Sequence, residues 1–299
     1  MLVRRWLDEA GIEDPVLRQC YTWCVRHAAH RDGGNVRWWG YRSLPAAARP
    51  HLAAVAALAF EADRHADTGP ADQRRRTFDA YVDATFAAIS AGHAADPVHH
   101  AAAHTMRVTG ISTALWANMF DAMRRDIDFT EFVTYEELRQ WARKSTGGAM
   151  VGIMTLLEGA EAARELDEEL HEFGELFQWM DQLSDLADDL DDGRMYLPLA
   201  DLDRFGVRAQ DVRARQWTSG MAELIAFEVD RITSRMPTLI AHLRHHTDSP
   251  GIEALQDHCA LVLRQVLADG PALLDRPSRV PLADRLDVWL PVWRTTIPC

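Results

Sequence analysis

The stretch Asp181-Gln-Leu-Ser-Asp185-Leu-Ala-Asp188-Asp189, running on into Asp192-Gly193-Arg194-Met195-Tyr196-Leu197-Pro198, decides how this chain is read. Asp181, Asp185 and Asp189 are spaced i, i+4, i+8. On an α-helix such a ladder drifts by only about 80°, so three carboxylates share one face. Acids stacked this way repel and weaken the helix by roughly a few tenths of a kcal/mol per pair. A cation offsets that repulsion. Magnesium suits the donors: it takes one or two carboxylates and completes its shell with water and phosphate oxygens. Upstream, Phe60-Glu61-Ala62-Asp63-Arg64-His65-Ala66-Asp67 repeats the device, with Asp63 and Asp67 four apart on one helix face. The chain holds 45 acidic residues in 299, so either motif alone also fits a solvated helix face. What lifts the second above chance is its tail, Tyr196-Leu197-Pro198 followed by Asp203-Arg204-Phe205-Gly206-Val207.

Outward from the motifs the apolar pattern is helical, and no run alternates as a strand does. The periodicity predicts helices over 15–30, 45–67, 71–92, 97–126, 134–162, 164–191, 217–246 and 251–272. Breaks fall at Gly33-Gly34, Gly69-Pro70, Pro97, Asp192-Gly193 with Pro198, and Ser249-Pro250-Gly251. Connections this short imply neighbouring packed helices, hence an all-α fold and a single domain over 1–299. The alanine-rich run Leu52 to Ala59 either lets helices approach closely or leaves volume for a ligand.

Bulk properties narrow the function classes. The net charge of −13 argues against nucleic acid or an anionic membrane as partner, although divalent cations can join an acidic protein to a polyanionic metabolite. Met1 to Asp8 lacks a signal-peptide apolar region, and no run approaches the length of a transmembrane segment. Cys20, Cys24, Cys259 and Cys299 show no pairing pattern, which fits a reduced, cytoplasmic setting. Cys20 and Cys24 with His27 lack a fourth zinc ligand and read as a helix face. The i, i+4 histidine pairs among His99, His100 and His104, and at His242 and His246, read as solvated or capping residues. Of ten tryptophans, Trp6, Trp289 and Trp293 read as packing. His65 is expected to pair with a carboxylate or line a cavity, and Arg64 to pair with a neighbouring acid or face an anion.

With these residues in view, the chain resembles the squalene/phytoene synthase family from about residue 17 to 295. That family's second aspartate-rich helix runs into a Gly-Arg-aliphatic-Tyr-Leu-Pro segment and then an acidic helix ending Phe-Gly-Val. Leu44-Pro45 and Arg49 keep the family's spacing to the first aspartates. Met123-Arg-Arg-Asp126 with Thr134-Tyr-Glu-Glu137-Leu138 matches its middle region, and Trp141-Ala-Arg-Lys-Ser145 looks like its Tyr-Cys-Arg-Arg-Ser variant. The resemblance implies a class I isoprenoid-synthase-type helical bundle with a central cavity. In it Asp63 and Asp67 face Asp185 and Asp189, the four catalytic aspartates, and hold Mg2+ that clamps a diphosphate. Asp181 stands where the family usually has Asn and is a fifth metal ligand, while Arg194 and Tyr196 fall on diphosphate-contacting positions. The implied chemistry is ionisation of a prenyl diphosphate to an allylic cation in a dry pocket.

Several positions depart from the family. Phe60 and Ser184 each replace an Arg, Ala56 replaces a usual Tyr, Arg64 interrupts the Asp-Asp-x-x-Asp pattern, and Gly33 to Trp39 replaces a His-x-x-Ser-Phe segment. One diphosphate site is kept and cations are lost from a second. That pattern resembles the family's carbazole-prenylating aromatic prenyltransferases. The expectation is therefore a prenyltransferase that C-alkylates an aromatic small-molecule acceptor with a short prenyl unit, dimethylallyl favoured. Phe60, Trp38, Ala56 and Ser184 would form the acceptor side, with Trp39 and Trp179 nearby. The alternatives are head-to-head coupling of two prenyl diphosphates, cyclisation of one, or binding without turnover. No Gly-rich dinucleotide fingerprint is present.

Overall fold

The computed structural model describes residues 2–32, 44–247 and 251–296. The chain is 79% helical, with no strand among the described residues. Helices α1 (Leu2–Glu9), α2 (Pro15–Asp32), α3 (Ala48–Asp67), α4 (Ala71–Ala91), α5 (Pro97–Thr109) and α6 (Thr113–Ile127) come first. Then come α7 (Tyr135–Ala142), a π-helical turn (Arg143–Gly147), α8 (Gly148–Glu158), α9 (Ala160–Glu165), α10 (Asp167–Ser184) and α11 (Leu186–Asp191). The last are α12 (Leu199–Arg204), α13 (Ala209–Arg213), α14 (Ser219–Thr233), α15 (Met236–Leu243), α16 (Gly251–Asp269) with a 3-10 turn (Gly270–Leu274), and α17 (Leu282–Thr296).

Local chemistry explains where helices begin. Asp96 caps α5 by accepting from the backbone N–H of Val98 and His99, with Pro97 set in the first turn. Thr134 and Thr218 cap α7 and α14, accepting from Glu137 N–H and Met221 N–H. The predicted helices exist, but four are broken. Gly110 at φ 76° ends α5 in the left-handed region and divides 97–126. The π turn and Gly159 (φ 92°) interrupt 134–162, Asp185 interrupts 164–191, and Pro237 restarts the chain within 217–246. Helices α1, α12, α13 and α17 lie outside the predicted ranges; α17 carries Pro291 inside it, which hides its periodicity.

By internal contacts the chain forms two compact units: Met1–Ile127, Val151–Asp167 and Val292–Cys299 in the first, Asp128–Met150 and Glu168–Pro291 in the second. In the first unit α3 packs against α2, α4, α5 and α6. Alanines on several sides of it, Ala53, Ala54, Ala56, Ala57, Ala62 and Ala66, are all buried. Small side chains let the backbones close, so this stretch serves packing. Phe78, Phe86 and Trp116 surround Phe120, with Phe78 edge-on at 6.1 Å. Each such pair adds about 0.5–1.5 kcal/mol beyond area burial.

A polar node lies inside this unit. The Tyr21 hydroxyl lies 2.7 Å from Thr105 Oγ1, 2.9 Å from His104 Nδ1 and 3.1 Å from His51 Nδ1. Burial, then the neighbouring His104, pushes the His51 pKa down to about 4. His99, also buried, bonds Thr85 at 3.1 Å. The expectation of solvated histidines is therefore corrected at His99 and His104, whose partners are buried side chains. His242 remains half exposed, 3.4 Å from Glu169, with its ring tilted beside that of His246 at 5.3 Å. Cys20 and Cys24 are buried in the core, and burial raises both thiols, so they form a helix face as expected.

In the second unit α14 packs on α12, α15 and α16. Trp179 is 2% exposed and its Nε1 donates to Glu228 Oε2 at 3.1 Å, so this ring is core and not an acceptor contact. Arg231 donates to the same carboxylate at 2.6 Å and lies 3.8 Å over the Tyr135 ring. Glu175, equally buried, accepts from Tyr135 and Arg235 at 2.9 Å each.

Candidate active site

The first motif occupies the last turns of α3. Asp63 is half-buried and Asp67 exposed, both on one face of the helix. Arg64 pairs with Glu61 at 2.7 Å, three residues earlier on the same helix, and so follows the local-pairing expectation. Glu61 also lies 3.1 Å from His27. His65 contacts the Arg64 guanidinium at 3.2 Å and rests 4.9 Å from the Tyr81 ring. Burial, then the Arg64 charge, lowers its pKa. Phe60 is half-buried against Trp6, Val25, Ala28 and Ala53, and Ala56, one turn earlier, is 8% exposed. Trp38 and Trp39 lie outside the described residues.

The second motif spans α10 and α11. Asp185 N–H donates to Asp181 C=O at 2.9 Å and Asp189 N–H to Asp185 C=O at 3.0 Å, so the i, i+4 register runs through. Between them the helix bends: Asp185 sits at φ −102°, ψ 15°. The cause is an intruding loop. The Ser184 carbonyl accepts from Ser278 N–H at 2.7 Å, while the Ser184 hydroxyl donates to Asp181 C=O at 2.9 Å. A foreign donor in the ladder is a recognised source of helix kinks.

That loop also delivers Arg279. Its guanidinium pairs with Asp185 and lies 3.7 Å from Asp188. Burial, then the Asp185 charge, raises the Asp188 pKa. Sequence reasoning missed Arg279 because nothing in Arg276-Pro-Ser-Arg279 marks it; it reaches the ladder only through tertiary packing. Beyond the ladder, Gly193 turns the chain at φ 76°, a conformation that favours glycine. Arg194 N–H then donates to Asp189 C=O, and its side chain to Asp192, at 2.7 Å each. The Tyr196 ring is buried, with Phe129 and Trp141 each 5.1 Å away. Leu199 N–H and Ala200 N–H, just past Pro198, bond the carbonyls of Phe132 and Val133, which fixes the Tyr-Leu-Pro tail against the start of α7.

Among the described residues no three His, Cys, Asp or Glu side chains gather into an all-protein cation cage. The donors are hard carboxylate oxygens in incomplete sets. Such a set fits magnesium shared with phosphate oxygens and water, and does not fit a closed structural zinc site.

Residues 31–285 match the squalene/phytoene synthase family model. The bifunctional protein CrtB/UppS of Streptomyces coelicolor is 34% identical over 206 residues, 68% of this chain and 36% of that protein, so the match spans about a third of that relative's length. The phytoene synthase of Mycobacterium tuberculosis is 30% identical over 219 residues, covering 72% of this chain and 70% of the relative. Among solved structures, squalene synthase HpnC from Alicyclobacillus acidocaldarius superimposes with a TM-score of 0.69 at 26% identity, covering 89% of this chain and 96% of that one. Members of this family are prenyltransferases and generally use a divalent metal to ionise a diphosphate. No helix of the described residues is long and apolar enough to cross a membrane. With both aspartate motifs and the Tyr-Leu-Pro tail inside the matched span, the chain belongs to the squalene/phytoene synthase family.

Proposed function

We propose that this chain is a magnesium-dependent prenyltransferase that couples two prenyl diphosphates head to head, as its squalene- and phytoene-synthesising relatives are named for doing. The observation that carries the reading is the family match over residues 31–285, which contains both aspartate motifs. By the family resemblance, Asp63 and Asp67 of the first motif and Asp181, Asp185 and Asp189 of the second would supply the metal ligands. Magnesium supplies the positive charge that stabilises the leaving diphosphate. Arg194 and Tyr196 orient the diphosphate, a role resting on the resemblance. The paired carboxylates keep their mutual repulsion low until the metal arrives, since Arg279 already neutralises Asp185. The buried aromatic cluster around Tyr196 keeps water from that side of the tail.

The aromatic-acceptor reading rests on Phe60, Ala56 and Ser184 standing where the family has Arg, Tyr and Arg. Locally, Phe60 packs into a hydrophobic cluster and Ser184 bonds its own helix, so both side chains are accounted for without an acceptor. The names of the relatives favour coupling. Incubation with Mg2+ and dimethylallyl, farnesyl or geranylgeranyl diphosphate, each with and without carbazole, separates the readings by mass spectrometry. A C30 or C40 hydrocarbon formed without acceptor and lost in Asp185→Asn supports coupling. A prenylated carbazole as the only product, or a cyclic terpene, overturns it.

A further inference from the structure

The strongest unexplained feature outside the aspartate motifs is the π-helical turn Arg143–Gly147 and what rests on it. Gly148 N–H bonds Arg143 C=O, the wide i→i+5 bond of a π turn. Against this turn lies α10. A Cβ at Gly174 would fall 2.4 Å from Gly147 Cα, 2.5 Å from Gly147 N and 2.6 Å from the Thr146 carbonyl carbon. A Cβ at Gly147 would in turn fall 2.9 Å from His171 Cδ2 and 3.1 Å from its Cα. At Gly174 every one of these approaches is to backbone, which no rotamer change relieves.

Polar bonds brace the crossing on both sides. Arg143 pairs with Glu168 at 2.6 Å, and Thr146 Oγ1 donates to Gln178 Oε1. At about 100° per residue, Gly174, Gln178 and Asp181 lie within roughly 60° of one another around the α10 axis, and Asp185, just past its end, bonds back to the Asp181 carbonyl at 2.9 Å. The face that beds on the π turn is the face that continues into the aspartate ladder, with Asp181 about 10 Å along the axis from Gly174.

We infer that the π turn and Gly174 form a seat that sets the axial position and rotation of α10, and so place the Asp181 and Asp185 carboxylates for metal binding. Gly147, Gly174 and Thr146 are positioning residues: none need touch the metal. A methyl group at Gly174 must lift or rotate the helix on its ladder-bearing side, and metal affinity follows that displacement. The inference rests on the ladder being a metal site.

The test measures Mn2+ binding in the presence of inorganic diphosphate, by electron paramagnetic resonance of free Mn2+, for wild type, Gly174→Ala and Thr146→Val. Circular dichroism confirms folding, and the Mg2+ concentration for half-maximal turnover is read in parallel. Thr146→Val preserves shape and backbone, so it covers the case in which Gly174→Ala does not fold. Expected is at least a tenfold loss of Mn2+ affinity in folded Gly174→Ala and about a threefold loss in Thr146→Val, with the Mg2+ requirement rising in step. Folded variants with wild-type affinity overturn the seat and leave the metal site standing. Wild type that binds no Mn2+ with diphosphate overturns the metal reading itself, and the seat with it.

Discussion

Acidification tests the interior of the first unit through His51. The imidazole is 8% exposed and bonds Tyr21 and Thr105, and burial holds its pKa near 4 against an ordinary 6.5. The folded value lies below the unfolded one, so the unfolded chain takes the proton first as pH falls. Stability is therefore lost from about pH 6.5 downward, and the loss levels off below about pH 4. Fully developed it amounts to about 3.4 kcal/mol, and between pH 7 and pH 5 to about 1.8 kcal/mol. Other groups also titrate in this window: Glu228, pushed up to about 8 by burial, acts in the opposite sense. A comparison of wild type with His51→Gln cancels them. At pH 7 the variant is less stable by about 1–3 kcal/mol, having lost a buried partner of Tyr21 and Thr105. At pH 5 that gap narrows by about 1.8 kcal/mol, because only wild type suffers the penalty. Urea unfolding at pH 7, 6 and 5, followed by circular dichroism, reads both values. A gap that does not change with pH refutes the argument that His51 is held neutral.

Other outcomes follow from the same geometry. Asp63→Asn and Asp189→Asn should each lower turnover by about a hundredfold or more with little change in melting temperature, measured as diphosphate release, since removing a charge-stabilising group costs about 2.7–4 kcal/mol of barrier. Arg279→Gln should raise the stability gained on adding Mg2+ with diphosphate, because the metal no longer displaces a guanidinium from Asp185; calorimetric melts with and without ligand decide this. Trp179→Ala should cost about 3–5 kcal/mol in denaturant unfolding, removing a ring that is 2% exposed and the donor to Glu228. Asp96→Ala should cost about 1 kcal/mol through lost capping of α5.

The fold class was legible because helix spacing, Asp96-Pro97 and Thr134 leave local marks that need no tertiary knowledge. Interruptions were legible only where a residue type forces them. Proline at 237 and glycine at 110 sit in plain view, yet a helical pattern continuing on both sides masks the break. The bend at Asp185 has no such mark: it arises from Ser278, some ninety residues on, donating into the helix. The same distance hides Arg279. Site residues divide likewise. The aspartate spacing is a local property and survives in the structure, whereas whether Phe60 or Trp179 meets a ligand or a neighbour depends on packing that periodicity does not encode. The histidines were misjudged for that reason, since His99 and His104 owe their partners to other helices, Thr85 on the preceding one and Tyr21 near the start of the chain.

The threading of the chain through its two units has a consequence for how the protein comes into being. The path leaves the first unit after Ile127, returns from Val151 to Asp167, leaves again, and returns at Val292. Neither unit is a continuous stretch, so a ribosome cannot release the first as a finished body before starting the second. The early helices pack on one another first and complete the unit only when Val151–Asp167 and the segment from Val292 arrive. Such non-local closure slows folding and lengthens exposure to aggregation. It also means that no single cut in the gene yields either unit whole, and that shuffling halves between relatives would break both at once.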